Sequence, residues 1–497
     1  MRQSGILMHI TSLPGPYGVG TMGENAYKFV DFLQSAGQSC WQILPLNPTG
    51  YGDSPYQSFS SWAGNPYLID LDILVKEGLL RQEELEGICW ETTPNRVDFG
   101  LQYTRRYPIL RTAHERFVPG EEYDTFCREN TFWLNNYALF MAIKDALGGA
   151  PWLTWPEGLK TCRPEALEEQ RQKLRKDLDF YRFLQYQFFR QWKALRRYAN
   201  EKGIRIIGDI PIYVPLDSAD VWANPHLFQL DSSLRPTSVA GCPPDSFTAD
   251  GQLWGNPLYD WPIHEKTGYR WWIRRLSAAA AMYDVVRIDH FRGLESYWSV
   301  PAQDETAKNG HWCPGPGMSF VHAVREALPG LDFIAEDLGY ITPEVRKLQQ
   351  NSGYPGMKVL EFAFDSRDSG CASDYLPHNY PENCVVYTGT HDNETIQGWF
   401  HSIHPDERKM AREYLCNPDT PDENMYLPFI SLAMRSKARM CIIPIQDYMG
   451  LDNRSRINVP STVGTNWRWR LAPGQIKPEL LKRISGMTLR YGRFNWQ

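Results

Sequence analysis

Eight short apolar segments that end in polar or charged residues constrain the fold of this 497-residue chain more than any other feature. Most of them are followed by a helical pattern, as expected when buried parallel strands alternate with helices. Eight such repeats predict an α/β fold, a single (β/α)₈ TIM barrel. The segments span residues 5–10, 40–46, 204–210, 285–289, 333–337, 358–364, 384–390 and 440–446.

Two connections between these segments are too long to be simple crossovers. They cover approximately residues 47–165, after the second predicted strand, and 214–270, after the third. Neither contains a repeat, a low-complexity tract or a Pro/Ser-rich linker. We therefore expect one catalytic barrel over residues 1–497, with these insertions forming subdomains over the carboxyl-terminal face of the strands.

Charge and hydropathy exclude several classes of partner. The net charge is −6, the pI is near 6.0, and no Lys/Arg-rich run occurs, which argues against nucleic acid. No stretch approaches 18 uninterrupted apolar residues, and the N-terminal segment lacks signal-peptide features. The ten cysteines include no C-x-x-C pair and are interpreted as reduced packing residues. These patterns predict no membrane contact, a cytoplasmic location and a neutral ligand, and they leave the oligomeric state open.

Aromatic residues are unusually abundant. They make up 13% of the chain and include 18 Trp and 26 Tyr. Flat rings suit the apolar faces of sugars, so some of them are expected to line a binding surface. The alternative is an aromatic-rich core, and composition alone leaves both open.

Three of the predicted strands lead into carboxylates. Asp289 ends one of them, Glu336 ends the next, and Asp392 follows the seventh. Carboxyl ends of barrel strands converge on one mouth, so the three side chains should lie together there. A single carboxylate of this kind could be a salt-bridged strand terminus, but three together favour an active site.

This arrangement suits cleavage of a glycosidic bond, which in retaining enzymes needs two carboxyl groups about 5–5.5 Å apart. Asp289 suits the nucleophile, because Arg287 lies two residues earlier on the same side of the strand and should lower its pKa. Glu336 suits the general acid/base if burial and the charge of Asp289 raise its pKa.

The third carboxylate and two histidines complete the predicted site. Asp392 would orient the substrate and stabilise an oxocarbenium-like transition state. His391, adjacent to it, and His290, which follows the nucleophile, could bond sugar hydroxyls beside the scissile bond.

The segments VVRIDHFRG (285–293), FIAEDLG (333–339) and YTGTHDNET (387–395) resemble the catalytic signatures of amylomaltase, the 4-α-glucanotransferase family related to the α-amylases. The resemblance also covers further segments spread over almost the whole chain. They are residues 50–70, 208–225, 240–261, 442–452 and 458–460.

The resemblance implies the same roles for the three carboxylates as the residue-level argument. It gives Arg287 and His391 supporting positions, and it implies that Asp209, at the end of the third predicted strand, braces the site. Ser54 and Tyr56 match positions that touch a second, more remote glucan site in relatives, although they could equally be turn residues.

Residues 241–254 resemble the loop that covers the active site and positions the acceptor. The contacts implied there are Asp245, Phe247, Gln252 and Trp254. A packed loop core is the alternative for the two aromatic residues. Cys242 lies in the same loop, but no neighbouring base in the sequence would activate its thiol.

The implied reaction is disproportionation, in which a segment of an α-1,4-glucan is held on Asp289 and passed to the 4-hydroxyl of another glucan or of glucose. We expect no cofactor and no catalytic metal, because the sequence shows no H-E-x-x-H motif or comparable cluster. An α-amylase-type hydrolase shares the three carboxylates, and only product analysis separates the two. A non-catalytic glucan-binding scaffold is a further alternative, but the intact trio argues against it.

Overall fold

The computed structural model describes residues 2–50, 52–244, 249–367 and 373–496. It confirms the predicted barrel: eight parallel strands close in the order β1-β2-β3-β6-β9-β10-β11-β12. The strands of the described residues are β1 (Gln3–Leu7), β2 (Cys40–Gln42), β3 (Arg205–Ile210), β4 (Ser238–Cys242), β5 (Gln252–Pro257), β6 (Val285–Ile288), β7 (Ser296–Pro301), β8 (His311–Pro314), β9 (Asp332–Ala335), β10 (Gly356–Val359), β11 (Cys384–Tyr387) and β12 (Met440–Pro444).

Most of the barrel strands end earlier than the apolar runs suggested. The second run covers residues 40–46, but the chain leaves the sheet after Gln42. The sixth run covers 358–364, whereas its strand ends at Val359 and a 3₁₀ turn follows. The extra apolar residues lie in buried loops at the mouth; Leu44, for example, is 1% exposed. Hydrophobicity therefore marks burial beyond the strand as well as within it.

Helices fill the connections around the barrel. They are α1 (Glu24–Ser35), α2 (Leu71–Lys76), α3 (Phe99–Leu101), α4 (Tyr107–Arg116), α5 (Glu121–Glu129), α6 (Thr131–Ala146), α7 (Glu157–Lys160), α8 (Pro164–Lys173), α9 (Arg175–Glu201), α10 (Ala219–Ala223), α11 (Trp261–Lys266), α12 (Arg270–Met282), α13 (Gly317–Ala327), α14 (Pro343–Ser352), α15 (Ile396–Ser402), α16 (Pro405–Tyr414), α17 (Tyr426–Arg435), α18 (Ile445–Tyr448) and α19 (Pro478–Arg490). No helix of the described part is long and apolar enough to cross a membrane.

Local sequence explains where these helices begin and end. The Thr342 side chain accepts a hydrogen bond from the Val345 amide and caps α14, which ends at Gly353 with a φ of +64°. The long helix α9 buries an aromatic and aliphatic stripe that includes Phe180, Leu184 and Phe188. That stripe packs into the main core, as its helical spacing indicates.

A second, four-stranded antiparallel sheet stands beside the barrel mouth. Its order is β5-β4-β7-β8, so two of its strands follow β3 and the other two follow β6. None of these four strands was predicted from the sequence. All four include half-buried or exposed residues, so they lack the continuous apolar signal of the barrel strands.

The barrel interior is a packed core. Alternate strand residues point inward, and together they form one buried cluster beneath the mouth. Members of this cluster are Leu7, Cys40, Ile207, Val285, Ile334, Met357, Val385 and Ile442. Because side chains alternate along a strand, Ile207 lies on the same side of β3 as Asp209 and supports the mouth from below.

Replacing Ile207 with Ala should lower the free energy of unfolding by about 2–5 kcal/mol, because the fully buried side chain leaves a cavity in a close-packed interior. Chemical denaturation monitored by tryptophan fluorescence measures this difference. Leu489→Ala, at a position that is 46% exposed on α19, is the control and should change stability by about 0.5 kcal/mol or less. Equal effects of the two substitutions would contradict the packed interior.

Candidate active site

Strand pairing places Asp289 and Glu336 next to each other. Strands β6 and β9 pair in parallel, with Ile288 opposite Ala335, and each carboxylate is the next residue along its strand. The Glu336 amide donates to the Ile288 carbonyl at 3.1 Å, so the two chains remain neighbours at this level. Adjacent strands lie about 4.8 Å apart. The backbone positions of Asp289 and Glu336 are therefore neighbours at the mouth.

Arg287 connects two carboxylates beneath the mouth. Its Nη1 lies 2.6 Å from Asp209 Oδ2 and 3.0 Å from Asp289 Oδ1. The side chains of Arg287 and Asp209 are only 4% and 1% exposed. Tyr56 donates its hydroxyl to the same Asp209 oxygen at 2.7 Å. Asp209 is thus buried, with its Oδ2 shared between Arg287 and Tyr56.

Of the two carboxylates that contact Arg287, Asp289 is the more open to solvent, with 28% of its side chain exposed. Burial raises the pKa of Asp289 to about 7, although Arg287 lowers it and the neighbouring carboxylates raise it further. The expectation of a lowered pKa is therefore wrong. The Arg287 guanidinium lowers the pKa of Asp289, as expected, but desolvation raises that pKa by more.

Glu336 is held by backbone amides. Its two carboxylate oxygens accept hydrogen bonds from the His290 amide at 2.7 Å and the Leu338 amide at 2.8 Å. Burial raises the pKa of Glu336, while Arg287 and the two amides oppose that rise. The direction agrees with the sequence analysis. A carboxyl group of this kind can keep a proton at a pH where an ordinary glutamate is ionised.

Asp392 lies in the loop after β11 and has the opposite character. The Asn458 amide donates to its Oδ1 at 2.6 Å, and His391 Nε2 lies 3.3 Å from its Oδ2. Burial alone would raise the pKa of Asp392, but His391 and Asn458 hold it well below its usual value. Asp392 is therefore a permanent negative charge at the mouth.

Tyr56 belongs to this cluster and does not lie at a remote site. Its ring stacks on His391, with centroids 5.1 Å apart and an interplanar angle of 15°. Ser54 accepts a hydrogen bond from the Tyr56 amide at 3.2 Å, and its carbonyl closes a turn with Gln57. The interpretation of both residues as a distant second glucan site is wrong for Tyr56, and Ser54 has the local role of shaping the turn.

The hairpin of β4 and β5 brings an aromatic side chain to the mouth. The Trp254 ring meets the His290 ring edge to face at 4.7 Å, and its Nε1 donates to Gln252 at 3.1 Å. Burial lowers the pKa of His290 to about 3, so the imidazole is neutral. Its Nε2 has no hydrogen-bond partner within the described part of the chain. Asp245 and Phe247, predicted in the same segment, lie outside the described residues.

Two residues that hold Asp392 were not predicted from the sequence. Asn458 binds its carboxylate, and Arg456 donates to its backbone carbonyl at 2.6 Å. Asn458 lies in one of the segments that carry the family resemblance, and that signal could have indicated it. Nothing in the local sequence singles out Arg456. Among the described residues, no group of three or more His, Cys, Asp or Glu side chains is arranged to hold a metal ion.

Comparison with known proteins agrees with this geometry. A family model described as 4-alpha-glucanotransferase matches residues 8–476. The chain belongs to this family. It is 46% identical to a 4-alpha-glucanotransferase of Clostridium butyricum, over 98% of this chain and all of that protein. A 4-alpha-glucanotransferase of Thermus thermophilus is 47% identical, over 98% of each chain.

Solved structures support the family assignment. Amylomaltase from Streptococcus agalactiae, in complex with acarbose, superposes with a TM-score of 0.96 at 41% identity and covers 100% of both chains. Amylomaltase from Corynebacterium glutamicum shares the fold, with a TM-score of 0.77 at 18% identity over 99% of this chain and 75% of that one.

Asp289→Asn should stabilise the fold at alkaline pH. The pKa of Asp289 is about 7 in the folded protein, against about 3.9 in an unfolded chain, so the wild type loses stability as pH rises through that window. The asparagine has no such cost, because it does not ionise. We expect the free energy of unfolding of the variant to exceed that of the wild type by about 1–3 kcal/mol at pH 8.

Denaturation curves at several pH values from 4 to 8 measure this effect. The difference between the variant and the wild type should shrink towards pH 4, where Asp289 is protonated in the folded protein and about half protonated in the unfolded chain. Asp419→Asn changes an exposed carboxylate and should show no such trend. A variant less stable than the wild type at pH 8 would mean that the Arg287 ion pair outweighs the cost of desolvation.

Proposed function

We propose that this protein is a 4-alpha-glucanotransferase that moves a segment of one α-1,4-glucan to the 4-hydroxyl of another glucan or of glucose. The observation that carries the proposal is the pairing of Asp289 with Glu336 on neighbouring strands, above the buried Arg287. The names of its relatives support the same reaction. A cytoplasmic location is part of the proposal and rests on the sequence alone.

In the first half-reaction, Asp289 attacks the anomeric carbon of the donor and forms a glycosyl ester. Arg287, 3.0 Å from its Oδ1, favours the ionised form that is needed for the attack. Glu336 donates its proton to the glycosidic oxygen, which leaves with the reducing-end part of the donor. The raised pKa of Glu336 supports this role, because the group must be protonated at the start.

In the second half-reaction, Glu336 has lost its proton and acts as a base. It removes the proton of the acceptor 4-hydroxyl, whose oxygen attacks the anomeric carbon from the face that the leaving group vacated. Asp289 is released as a carboxylate, and the α-configuration is retained after two inversions. The two amide donors on Glu336 keep it in one position through both steps.

Asp392 supplies a charge that does not change during the reaction. Positive charge develops on the sugar ring in the transition state, and a permanently ionised carboxylate beside it stabilises that state. Asn458, His391 and Arg456 hold the loop position of Asp392 by hydrogen bonds and charge. Such preorganisation avoids the cost of reorientation at the moment of reaction.

Transfer exceeds hydrolysis only if an acceptor sugar competes with water. Trp254 lies against His290, the residue after the nucleophile, and offers an apolar face for the acceptor ring. The neutral His290 has a free Nε2 among the described contacts and can bond a sugar hydroxyl. Together they would hold the acceptor and exclude water near Asp289.

Incubation with maltotriose tests the reaction. We expect glucose and longer maltooligosaccharides to appear while the total number of reducing ends stays constant, because each transfer breaks one bond and makes another. Chromatography of the products and a reducing-end assay on the same samples provide both measurements. A rise in reducing ends with little elongation would mean that the protein is an α-amylase-type hydrolase. No change at all would favour a non-catalytic glucan-binding scaffold.

Trp254→Ala should raise the ratio of hydrolysis to transfer by roughly threefold to tenfold, because an aromatic contact is worth about 0.5–1.5 kcal/mol. The ratio of reducing ends formed to maltotriose converted gives this number. Trp254→Phe keeps an aromatic face and serves as the matched control, with a ratio close to that of the wild type. An unchanged ratio in the alanine variant would remove Trp254 from the acceptor site.

A further inference from the structure

An exposed aromatic side chain stands a short distance outside the catalytic cluster. Tyr340 is 66% exposed and lies four residues after Glu336. Four extended residues span at most about 14 Å, so this ring is within reach of a short oligosaccharide bound at Glu336. None of the catalytic steps proposed above uses it.

Tyr340 is held by a buried cation. Arg292 is 3% exposed, and its Nη1 donates to the Tyr340 carbonyl. Its Nη2 donates to Ser296 Oγ at 2.9 Å. Within the described residues Arg292 makes no salt bridge, and its guanidinium lies over the Trp312 ring, 3.8 Å from the centroid. Arg292 therefore links the loop that carries Tyr340 to the second sheet.

Two tryptophans of the second sheet lie behind Tyr340. The rings of Tyr340 and Trp312 are nearly parallel, with centroids 6.4 Å apart and an interplanar angle of 18°. Trp298 is the cross-strand partner of Trp312 and meets it edge to face at 5.0 Å. The Trp298 indole also donates to the Ala307 carbonyl at 2.9 Å. Both tryptophans are thus restrained by the strands beneath them.

We propose that Tyr340, supported by Trp312 and Arg292, is a stacking subsite for a glucose unit of the bound glucan that lies away from the reacting bond. The inference rests on the proposed function and adds a residue that selects for chain length. An exposed aromatic ring suits the apolar face of a neutral sugar. Arg292 is 3% exposed, so this surface offers little to a charged ligand. Tyr340 follows Glu336 by four residues, and Arg292, which holds it, follows His290 by two, so the occupant is the same glucan chain.

The test compares binding of a short and a long maltooligosaccharide. Dissociation constants for maltotriose and maltoheptaose are measured by calorimetry in an Asp289→Asn background, with and without Tyr340→Ala. We expect the maltoheptaose constant to rise about threefold to tenfold, from the loss of one aromatic contact. The maltotriose constant should change less than about twofold, because the short chain fills the positions at the reacting bond.

Two control substitutions define the result. Tyr340→Phe should bind maltoheptaose like the parent, since the ring is kept. Trp496→Ala removes a ring that is 77% exposed and follows Asn495, which bonds the residues before β2 and β3 at the other end of the barrel. That variant should bind both sugars normally.

Other outcomes overturn the inference. An unchanged maltoheptaose constant would show that Tyr340 does not touch the glucan. An equal rise for both sugars would show that Tyr340 acts by shaping the loop after Glu336. Neither result depends on turnover, so the maltotriose assay on the wild-type protein separates failure of this subsite from failure of the proposed function.

Discussion

The buried guanidinium of Arg287 is the interaction on which the rest of the site depends. It lies between Asp209, which is closed off from solvent, and Asp289, which is open to the cleft. A planar group that stays charged when buried is suited to this position, and a lysine would provide neither the fork geometry nor the same resistance to deprotonation. Without it, two carboxylates on adjacent barrel strands would be buried together with no cation to offset their repulsion.

The three carboxylates at the mouth differ in protonation because their surroundings differ. Asp289 and Glu336 share a desolvated region around one arginine, and burial raises the pKa of both. Asp392 has its own partners, His391 and the Asn458 amide, and its pKa lies well below the usual value. One fold thus supplies a titratable pair and a permanent charge. Reaction chemistry that needs a proton to move between steps can use the pair, while the charge stays constant.

Segments distant in the chain complete the mouth. Tyr56 comes from the connection after β2, Trp254 from the second sheet, and Asn458 from the region after β12. The second sheet contributes on two sides, through Trp254 against His290 and through Trp312 against Arg292. Barrel strands carry the reacting groups, and the added elements shape what can approach them. This division is common in barrels, where loop variation changes specificity over a conserved scaffold.

The sequence by itself determined the eight strands, their order in the chain and the placement of three carboxylates at one mouth. These features follow from local patterns, because an apolar run that ends in Asp or Glu can be recognised from a few consecutive residues. It did not determine the true strand ends, the four strands of the second sheet, or the pKa of Asp289. Those depend on burial by parts of the chain that are remote in sequence. Asp209 meets Tyr56 across 153 positions, and Asp392 meets Asn458 across 66. Only the tertiary structure brings such groups together, and desolvation by the assembled mouth then outweighs the local effect of Arg287.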